Sequence, residues 1–346
     1  MIKIAVDAMG GDYAPEQQVK GALLALERNK DIAVILCGDE KALKAELAKT
    51  PHDGSRVEVV HTTEIITNEE APTKAVKTKK DSSTVVAFRL LKEGKADGLV
   101  SSGSTGAVLS AGVLILGRLK GVSRPALCPL LPNLEGKYTF LCDCGANLEC
   151  KPVNLLHFAL LASSYAQAVY GVENPRCGLL NNGTEDHKGD LVHQEANALL
   201  NTAKGINYIG NIEGREIMLG GVDVVIADGY TGNIALKSVE GTAKAVSSIV
   251  KKQFMKNAFT KIRALFVKDI LNGVKKSMDY EAGGGAMFLG LSKTVVKAHG
   301  NSKATSFSVA IEQAAGAVRS DMLGKTKEML DKLNAELAEQ TAEKTE

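Results

Sequence analysis

The strongest constraint on the fold is an alternation of short apolar runs with segments of helical periodicity. The apolar runs occupy residues 2–6, 32–37, 57–61, 98–101, 126–130, 139–142, 176–180, 208–210 and 222–227. The helix-period segments are 16–27, 41–50, 83–93, 106–117, 154–170 and 191–202. Strand, loop and helix in repetition predict βαβ units, and therefore an α/β fold with a mostly parallel sheet.

Composition agrees with such a fold. The chain has 346 residues, of which 45% are apolar and only 4% aromatic, with no tryptophan. Aliphatic side chains must therefore fill the core, as in helices packed on a parallel sheet, and the length suggests one large unit or two lobes. The net charge of +2 argues against a general nucleic-acid-binding protein.

The cysteines and the N-terminus favour a cytosolic protein. The six cysteines fit a reducing compartment. Cys142, Cys144 and Cys150 follow a C-x-C-x5-C spacing that matches no common zinc pattern, so we expect no metal. A β-like run begins at residue 2, so we expect no signal peptide. We also expect no membrane span, since no run of about 18 uncharged apolar residues occurs.

Glycine-rich motifs follow several of the predicted strands. The first, DAMGGD at 7–12, allows a sharp turn at Gly10 and Gly11, where backbone N–H groups can face an anion. Asp7 and Asp12 could orient a donor or act as a base. The motif is not the G-x-G-x-x-G of dinucleotide sites.

The second motif predicts a phosphate site. It lies between a predicted strand and a predicted helix, where free N–H groups and hydroxyls attract anions. No lysine follows as in a Walker motif, so a nucleoside triphosphate is not indicated. The candidate phosphate-binding residues are Ser102, Gly103, Ser104, Thr105 and Gly106.

Three later loops carry further polar side chains. Lys188 is suited to clamp phosphate or a carbonyl oxyanion, and Asp228, at a strand end, is placed as a base or orienting group. The other candidates in these loops are Asn147, Thr184, Glu185, Asp186, Thr231, Gly232 and Asn233. Near the C-terminus, Gly284 is a candidate for the wall of an acyl or carrier-arm channel. His299 is a candidate for substrate binding, although a lone histidine often serves structure.

No nucleophile of the enzyme's own stands out. The chain has no G-x-S-x-G elbow and no evident Ser-His-Asp order. Direct attack by a bound phosphate needs only a phosphate cradle, an oxyanion donor and an acid or base.

Residues 249–278 form a basic amphipathic segment that differs from the rest of the chain. It is rich in lysine, with apolar residues every three or four positions. One interpretation is a dimer-packing or core-facing helix; the other is a surface that meets anionic lipid or an acidic protein. The apolar cluster at 264–267 favours some membrane contact. We expect it to protrude from a two-lobed domain at 1–330, which a charged tail at 331–346 follows.

Six motifs in order give a specific resemblance over about residues 1–325. They are DAMGGD at 7–12, SGSTGA at 102–107, GAN at 145–147, GTEDxKG at 183–189, DGYTGN at 228–233 and KAHG at 297–300. Together they resemble the bacterial phosphate acyltransferases of phospholipid synthesis, the PlsX family. Cys144 and Asn182 depart from the usual family residues without removing a polar group from a motif.

The resemblance implies a three-layer α/β/α fold in two lobes, like isopropylmalate and isocitrate dehydrogenases and phosphotransacetylases. It implies transfer of an acyl group from acyl-[acyl carrier protein] to inorganic phosphate, with no cofactor, and a product that feeds a membrane glycerol-3-phosphate acyltransferase. It also implies a cytoplasmic homodimer that associates peripherally with the membrane. The implied membrane contact lies at Leu265, Phe266 and Val267.

Three alternatives remain open from the sequence. A phosphotransacetylase-like enzyme would use acyl-CoA as its donor. A metal- and NAD-dependent dehydrogenase on the same fold would need a cluster of acidic metal ligands. A regulatory protein would bind acyl groups without forming acyl phosphate.

Overall fold

Two β-sheets with helices packed on them make up the computed structural model, which describes residues 1–277 and 283–343. The strands are β1 (Ile2–Asp7), β2 (Ile32–Gly38), β3 (Val57–His61), β4 (Gly98–Ser101), β5 (Ala126–Cys128), β6 (Leu130–Pro132), β7 (Tyr138–Cys142), β8 (Arg176–Leu180), β9 (Asn207–Ile212), β10 (Val224–Ile226), β11 (Gly285–Leu289) and β12 (Thr294–Ala298). The helices are α1 (Glu16–Arg28), α2 (Glu40–Leu47), α3 (Pro72–Thr78), α4 (Ser83–Lys92), α5 (Thr105–Ala111), α6 (Pro152–Tyr170), α7 (Leu191–Thr202), α8 (Gly229–Phe254), α9 (Ala258–Phe266), α10 (Lys268–Ser277), α11 (Ala304–Arg319) and α12 (Met322–Glu343).

The first sheet has seven strands in the order β3-β2-β1-β4-β12-β11-β5. Its first five strands are parallel, and β11 runs antiparallel to β12 and β5. The register places Asp7 beside Ser101 and Ser101 beside Lys297. These three residues therefore form one row at the carboxyl ends of neighbouring strands.

The second sheet has five strands in the order β6-β7-β10-β8-β9. All of its neighbouring pairs are parallel except β6 with β7. Cys142, Ile226 and Leu179 are aligned across β7, β10 and β8. The loops after these strands consequently leave the sheet on the same side.

One hydrophobic cluster joins the two sheets. It contains Ile4 and Val6 from the first sheet, Phe140 and Val224 from the second, and most of α6. This helix is apolar around its circumference, and 13 of its 19 residues are buried. A helix of that kind packs between layers rather than at a surface, so α6 helps to hold the two sheets in one body.

The structure corrects the prediction at residues 126–130. The predicted single strand is two strands in different sheets, β5 in the first and β6 in the second, separated by Pro129. Proline has no N–H to donate to a ladder, so pairing is interrupted there. The predicted helix at 106–117 is α5 followed by a π-helical turn at Gly112–Leu116.

The basic segment begins inside α8 and continues through α9 and α10. Phe266 is 85% exposed, and Phe259, Ile270 and Val274 are exposed too. Val267 is half-buried, while the side chain of Leu265 and residue 278 fall outside the described part. The predicted charged tail is helical in α12 as far as residue 343. Among the described helices, none combines the length and apolarity that crossing a bilayer requires.

Candidate active site

The carboxyl ends of both sheets border one cavity of about 230 Å³. Ligand sites of open α/β folds lie at this end of the strands. The first sheet contributes residues after β4 and at the end of β12, and the second contributes the loop after β7 and the start of α8. The lining residues are Thr105, Leu127, Pro129, Cys144, Gly145, Asn233, Leu236, Lys237, Ala286, Lys297, Ala298 and His299.

Asp7 anchors the wall formed by the first sheet. Its buried carboxylate accepts hydrogen bonds from Ser83 Oγ at 2.6 Å, Thr84 Oγ1 at 2.8 Å and Ser101 Oγ at 2.7 Å. It thereby ties the start of α4 to the ends of β1 and β4. The sequence suggested Asp7 as a substrate ligand; in the structure its oxygens accept from protein hydroxyls, and a substrate role stays a prediction.

The Gly10–Gly11 turn packs on the predicted phosphate loop. Ser102 Oγ donates to the Gly10 carbonyl at 2.7 Å, and Gln18 Nε2 donates to both groups at 2.9 Å. Gly11 has φ +96°, and a Cβ there would lie 2.7 Å from Ser102 Oγ, so glycine is required. The Asp12 N–H donates to the Gly300 carbonyl at 2.8 Å. Three loops of the first sheet are thus fastened together.

Asp143 organises the loop after β7. Its buried carboxylate accepts from the backbone N–H groups of Leu127, Ala146 and Asn147, and from Asn147 Nδ2 at 2.9 Å. Burial raises the pKa of Asp143 to about 6, although these hydrogen bonds oppose the rise. Asn147 Nδ2 also donates to Pro125 O at 2.8 Å, so its amide hydrogens are used within the loop.

Glycines let α8 approach this loop closely. A Cβ on Gly229 would lie 2.7 Å from Asp143 Oδ2, and one on Gly232 would overlap the Asp143 carbonyl. The approach brings Asn233 and Lys237, one helical turn apart, to the cavity. Asp228 caps the helix by accepting from Thr231 N at 2.9 Å and Thr231 Oγ1 at 2.6 Å.

The loop that carries Lys188 lies beside α8. His193 Nδ1 is 2.7 Å from Asp190 Oδ1, and its Nε2 is 3.8 Å from Asp228 Oδ2, so the imidazole lies between the end of this loop and the cap of α8. Lys188 Nζ is 3.9 Å from Glu185 Oε1 and lies outside the cavity lining. His193 was missed from the sequence, although its position three residues after the helix cap Asp190 was a usable signal.

Two lysines that the sequence analysis did not single out, Lys237 and Lys297, line the cavity. Lys237 Nζ is 2.9 Å from Glu240 Oε2, and Glu240 is buried. Lys297 is 8% exposed, and its Nζ donates to the Ala298 carbonyl. Burial lowers the pKa of Lys297 to about 8, while Asp7 and Asp12 oppose the fall. Burial likewise lowers the pKa of His299, against the effect of Glu240.

Comparison with known proteins identifies the family. The sequence model described as "Fatty acid synthesis protein" matches residues 2–325. A phosphate acyltransferase from Caldanaerobacter subterraneus is 46% identical over 97% of this chain and 100% of its own length. One from Clostridioides difficile is 44% identical over 97% of this chain and 98% of its own.

The chain belongs to the phosphate acyltransferase family.

The phosphate acyltransferase fold is shared with solved phosphotransacetylases. One from Streptococcus pyogenes superposes with a TM-score of 0.61 at 17% identity, covering 92% of this chain and 94% of its own. A branched-chain phosphotransacylase from Enterococcus faecalis gives 0.55 at 17% identity, covering 92% of this chain and 100% of its own. These similarities support the predicted isopropylmalate dehydrogenase-like, phosphotransacetylase-like α/β architecture.

Among the described residues that line the acyltransferase cavity, no cysteine is activated as a nucleophile. Cys144 lines the cavity, but burial raises the pKa of its thiol well above the usual value. The thiol therefore stays protonated, and only the thiolate is a good nucleophile. In the described residues, Cys142, Cys144 and Cys150 belong to no group of three or more His, Cys, Asp or Glu side chains that could hold a metal ion.

Three of the remaining predicted positions have structural contacts. Gly284, with φ +83°, packs on α11, where a Cβ would lie 2.9 Å from Ala310 N. Asp186 Oδ1 accepts from Asn197 Nδ2 at 3.3 Å, and the Glu185 carbonyl accepts from Asn211 Nδ2 at 2.9 Å. Of the predicted ligand-binding residues, Thr105, Asn233 and His299 line the cavity directly. The roles of the others stay predictions.

Proposed function

We propose that this phosphate acyltransferase moves a fatty acyl group from acyl-[acyl carrier protein] to inorganic phosphate, and that the acyl phosphate serves phospholipid synthesis. The observation that carries the proposal is the cavity itself. It gathers Lys237, Lys297 and the Asn233 amide between the two sheets, beside a thiol that is not activated. Such a site is suited to hold an anion that attacks directly.

In this mechanism a phosphate oxygen attacks the thioester carbonyl. Thr105, Asn233 and Lys237 supply donors that hold the phosphate, because their side chains border the cavity. Lys188 remains our candidate donor to the oxyanion, on a loop that ends next to His193, whose Nε2 is 3.8 Å from Asp228 Oδ2. Asp228 and Asp12 remain candidates for orienting the phosphate.

Product trapping tests the reaction. The purified protein is incubated with acyl-carrier protein and labelled phosphate, and acyl phosphate is captured as the hydroxamate with hydroxylamine. Acyl-CoA at the same concentration serves as the competing donor. Faster reaction with acyl-CoA would favour the phosphotransacetylase-like alternative. Stoichiometric acyl binding without any hydroxamate would favour a regulatory protein, and NAD reduction would favour the dehydrogenase.

The basic segment supports two further parts of the proposal, a peripheral membrane contact and a docking face for the acidic carrier. Exposed Phe259 and Phe266 lie among exposed Lys256, Lys261 and Lys268. Apolar rings between cations suit a surface of anionic lipid. Phe266→Glu should abolish sedimentation with anionic vesicles, whereas Lys3→Glu, far from this segment in the chain, should leave it unchanged. Vesicle binding that survives Phe266→Glu excludes the lipid role.

Homodimer formation in the cytoplasm and delivery of the product to a membrane glycerol-3-phosphate acyltransferase complete the proposal. Light scattering at several protein concentrations tests the dimer. A coupled assay with vesicles that contain the membrane enzyme tests delivery. Binding of this protein to the same vesicles should shorten the lag before glycerol 3-phosphate is acylated.

A further inference from the structure

Lys297 is a buried cation of the cavity to which the mechanism above assigns no step of its own. It stands at the carboxyl end of β12 and borders the cavity. Its ammonium has three donors, of which one is used by the Ala298 carbonyl. Within residues 1–277 and 283–343, no carboxylate lies within 4.0 Å of it. A buried ammonium without an ion-pair partner is costly, which points to a ligand or a proton-transfer role.

We propose that Lys297 is the general acid that protonates the leaving thiolate of the acyl donor. This inference rests on the proposed function, because it assigns a residue to the second half of that same acyl transfer. It goes beyond that function by separating the cation that serves the leaving sulfur from the groups that hold phosphate.

The other proton-bearing groups of the cavity suit the task less well. Lys237 is paired with Glu240 at 2.9 Å, so its charge is already compensated. Burial lowers the pKa of His299, which favours the neutral imidazole, and burial raises the pKa of Cys144. Lys297, with a pKa of about 8, stays protonated at neutral pH yet is close to the pKa of about 8.5 of an ordinary thiol. A matched acid and leaving group make proton transfer efficient.

The charges around Lys297 set its pKa in this range. Asp7 at the end of β1 and Asp12 in the following loop favour the ammonium. Burial and the positive charge of Lys237, on α8, favour the neutral amine. Lys297 in turn disfavours the charged form of the neighbouring His299. Because Asp7 is itself bound to three hydroxyls, its position relative to the ammonium is fixed by the fold.

The step balances without any other reactant. Hydrogen phosphate forms the new C–O bond, and the C–S bond breaks with its electron pair on sulfur. Lys297 gives one proton to that sulfur and becomes a neutral amine. The proton that hydrogen phosphate loses on becoming acyl phosphate then restores the ammonium, so the net change is one proton moved from phosphate to thiol.

The test compares two leaving groups in the intact enzyme. One donor is acyl-carrier protein, and the other is an acyl thioester of an aryl thiol, whose thiolate leaves without a proton. For the wild type, kcat/KM with acyl-carrier protein should fall about tenfold per pH unit above pH 8, while the aryl donor should show no such fall. This measurement needs no variant, and equal alkaline limbs for the two donors would overturn the proposal.

Two substitutions sharpen the comparison. Lys297→Met should lose about 10²- to 10⁴-fold in kcat with acyl-carrier protein and only a few-fold with the aryl donor. Lys297→Arg keeps the charge but cannot release a proton, so the alkaline limb should disappear. Lys237→Met, the matched control, should raise the phosphate KM with both donors alike.

Each outcome decides the matter. An equal loss in Lys297→Met on both donors, or a wild-type pH profile in Lys297→Arg, would make Lys297 an anion anchor and refute the acid role. Thermal unfolding of each variant checks that it folds. A wild type that makes no acyl phosphate from either donor would instead refute the proposed function, and that result is distinct from the others.

Discussion

Replacement of Asp7 by alanine should destabilise the protein strongly. The change removes the acceptor for three hydroxyl groups, those of Ser83, Thr84 and Ser101, in a fully buried setting. Each buried polar group left without a partner costs about 1–3 kcal/mol, which bounds the loss at about 3–9 kcal/mol. Hydroxyls can rotate toward other acceptors, so we expect a value of about 3–5 kcal/mol, typical of a broken buried network.

Urea unfolding followed by far-UV circular dichroism measures this loss. Asp97→Ala is the matched control. Asp97 is exposed and lies at the amino ends of β1 and β4, where its side chain accepts from Lys3 N at 2.8 Å. We expect Asp97→Ala to cost less than about 1.5 kcal/mol. If Asp7→Ala unfolded within about 1 kcal/mol of the wild type, Asp7 would not be the anchor of this wall, and the argument would fail.

Three further predictions address the second sheet and its loops. Gly232→Ala should push α8 away from the Asp143 carbonyl and cost about 1–3 kcal/mol of stability in thermal unfolding. Gly241→Ala, in the same helix but with open space at the Cβ position, is the control and should stabilise by about 0.5–1 kcal/mol. Lys188→Ala should raise the barrier by about 2.7–4 kcal/mol if Lys188 is the main oxyanion donor, and wild-type turnover would remove it from the mechanism. The pKa of Asp143 is higher in the folded state, about 6 against 3.8, so its contribution to stability is fully present below pH 3.8 and is lost as the pH rises through 6. Asp143→Asn should flatten that part of the stability curve, and an unchanged slope would contradict the assignment.

Sequence periodicity was sufficient for most of the parallel strands, but not for β12, whose end borders the cavity. β1, β4 and β8 were predicted because their apolar runs are continuous and end at glycine-rich turns. β11 and β12 were missed as strands, so Lys297 was noticed only as part of a motif. Its place beside Ser101 depends on pairing between β4 and β12, which are almost two hundred residues apart, and no local pattern reveals such pairing.

The sequence predicted which loops form the candidate site better than it predicted which side chains line the cavity. The motif loops after β4, β7 and β10 do meet at the cavity, as strand-end reasoning predicted. Within the loops, however, a polar side chain can bind a ligand or brace its neighbours, and only geometry separates the two. Asp7, Asn147 and Asp228 are occupied by protein partners, whereas Asn233 and Lys237 face the cavity because glycines bring α8 close.

The crossing at Pro129 limits how the two sheets can slide past each other. Leu127 pairs with Phe288 in the first sheet, yet its backbone also contacts the loop after β7 of the second sheet, through its N–H to Asp143 and its carbonyl to Cys144 N at 2.9 Å. Three residues later, at Leu130, the chain enters the other sheet. The two sheets are therefore joined by these bonds at the base of the cavity, which Leu127 lines, and sliding between the sheets would break the bonds. Any widening of the cavity that keeps these bonds would be a rotation about this segment, which opens the mouth while the base keeps its width.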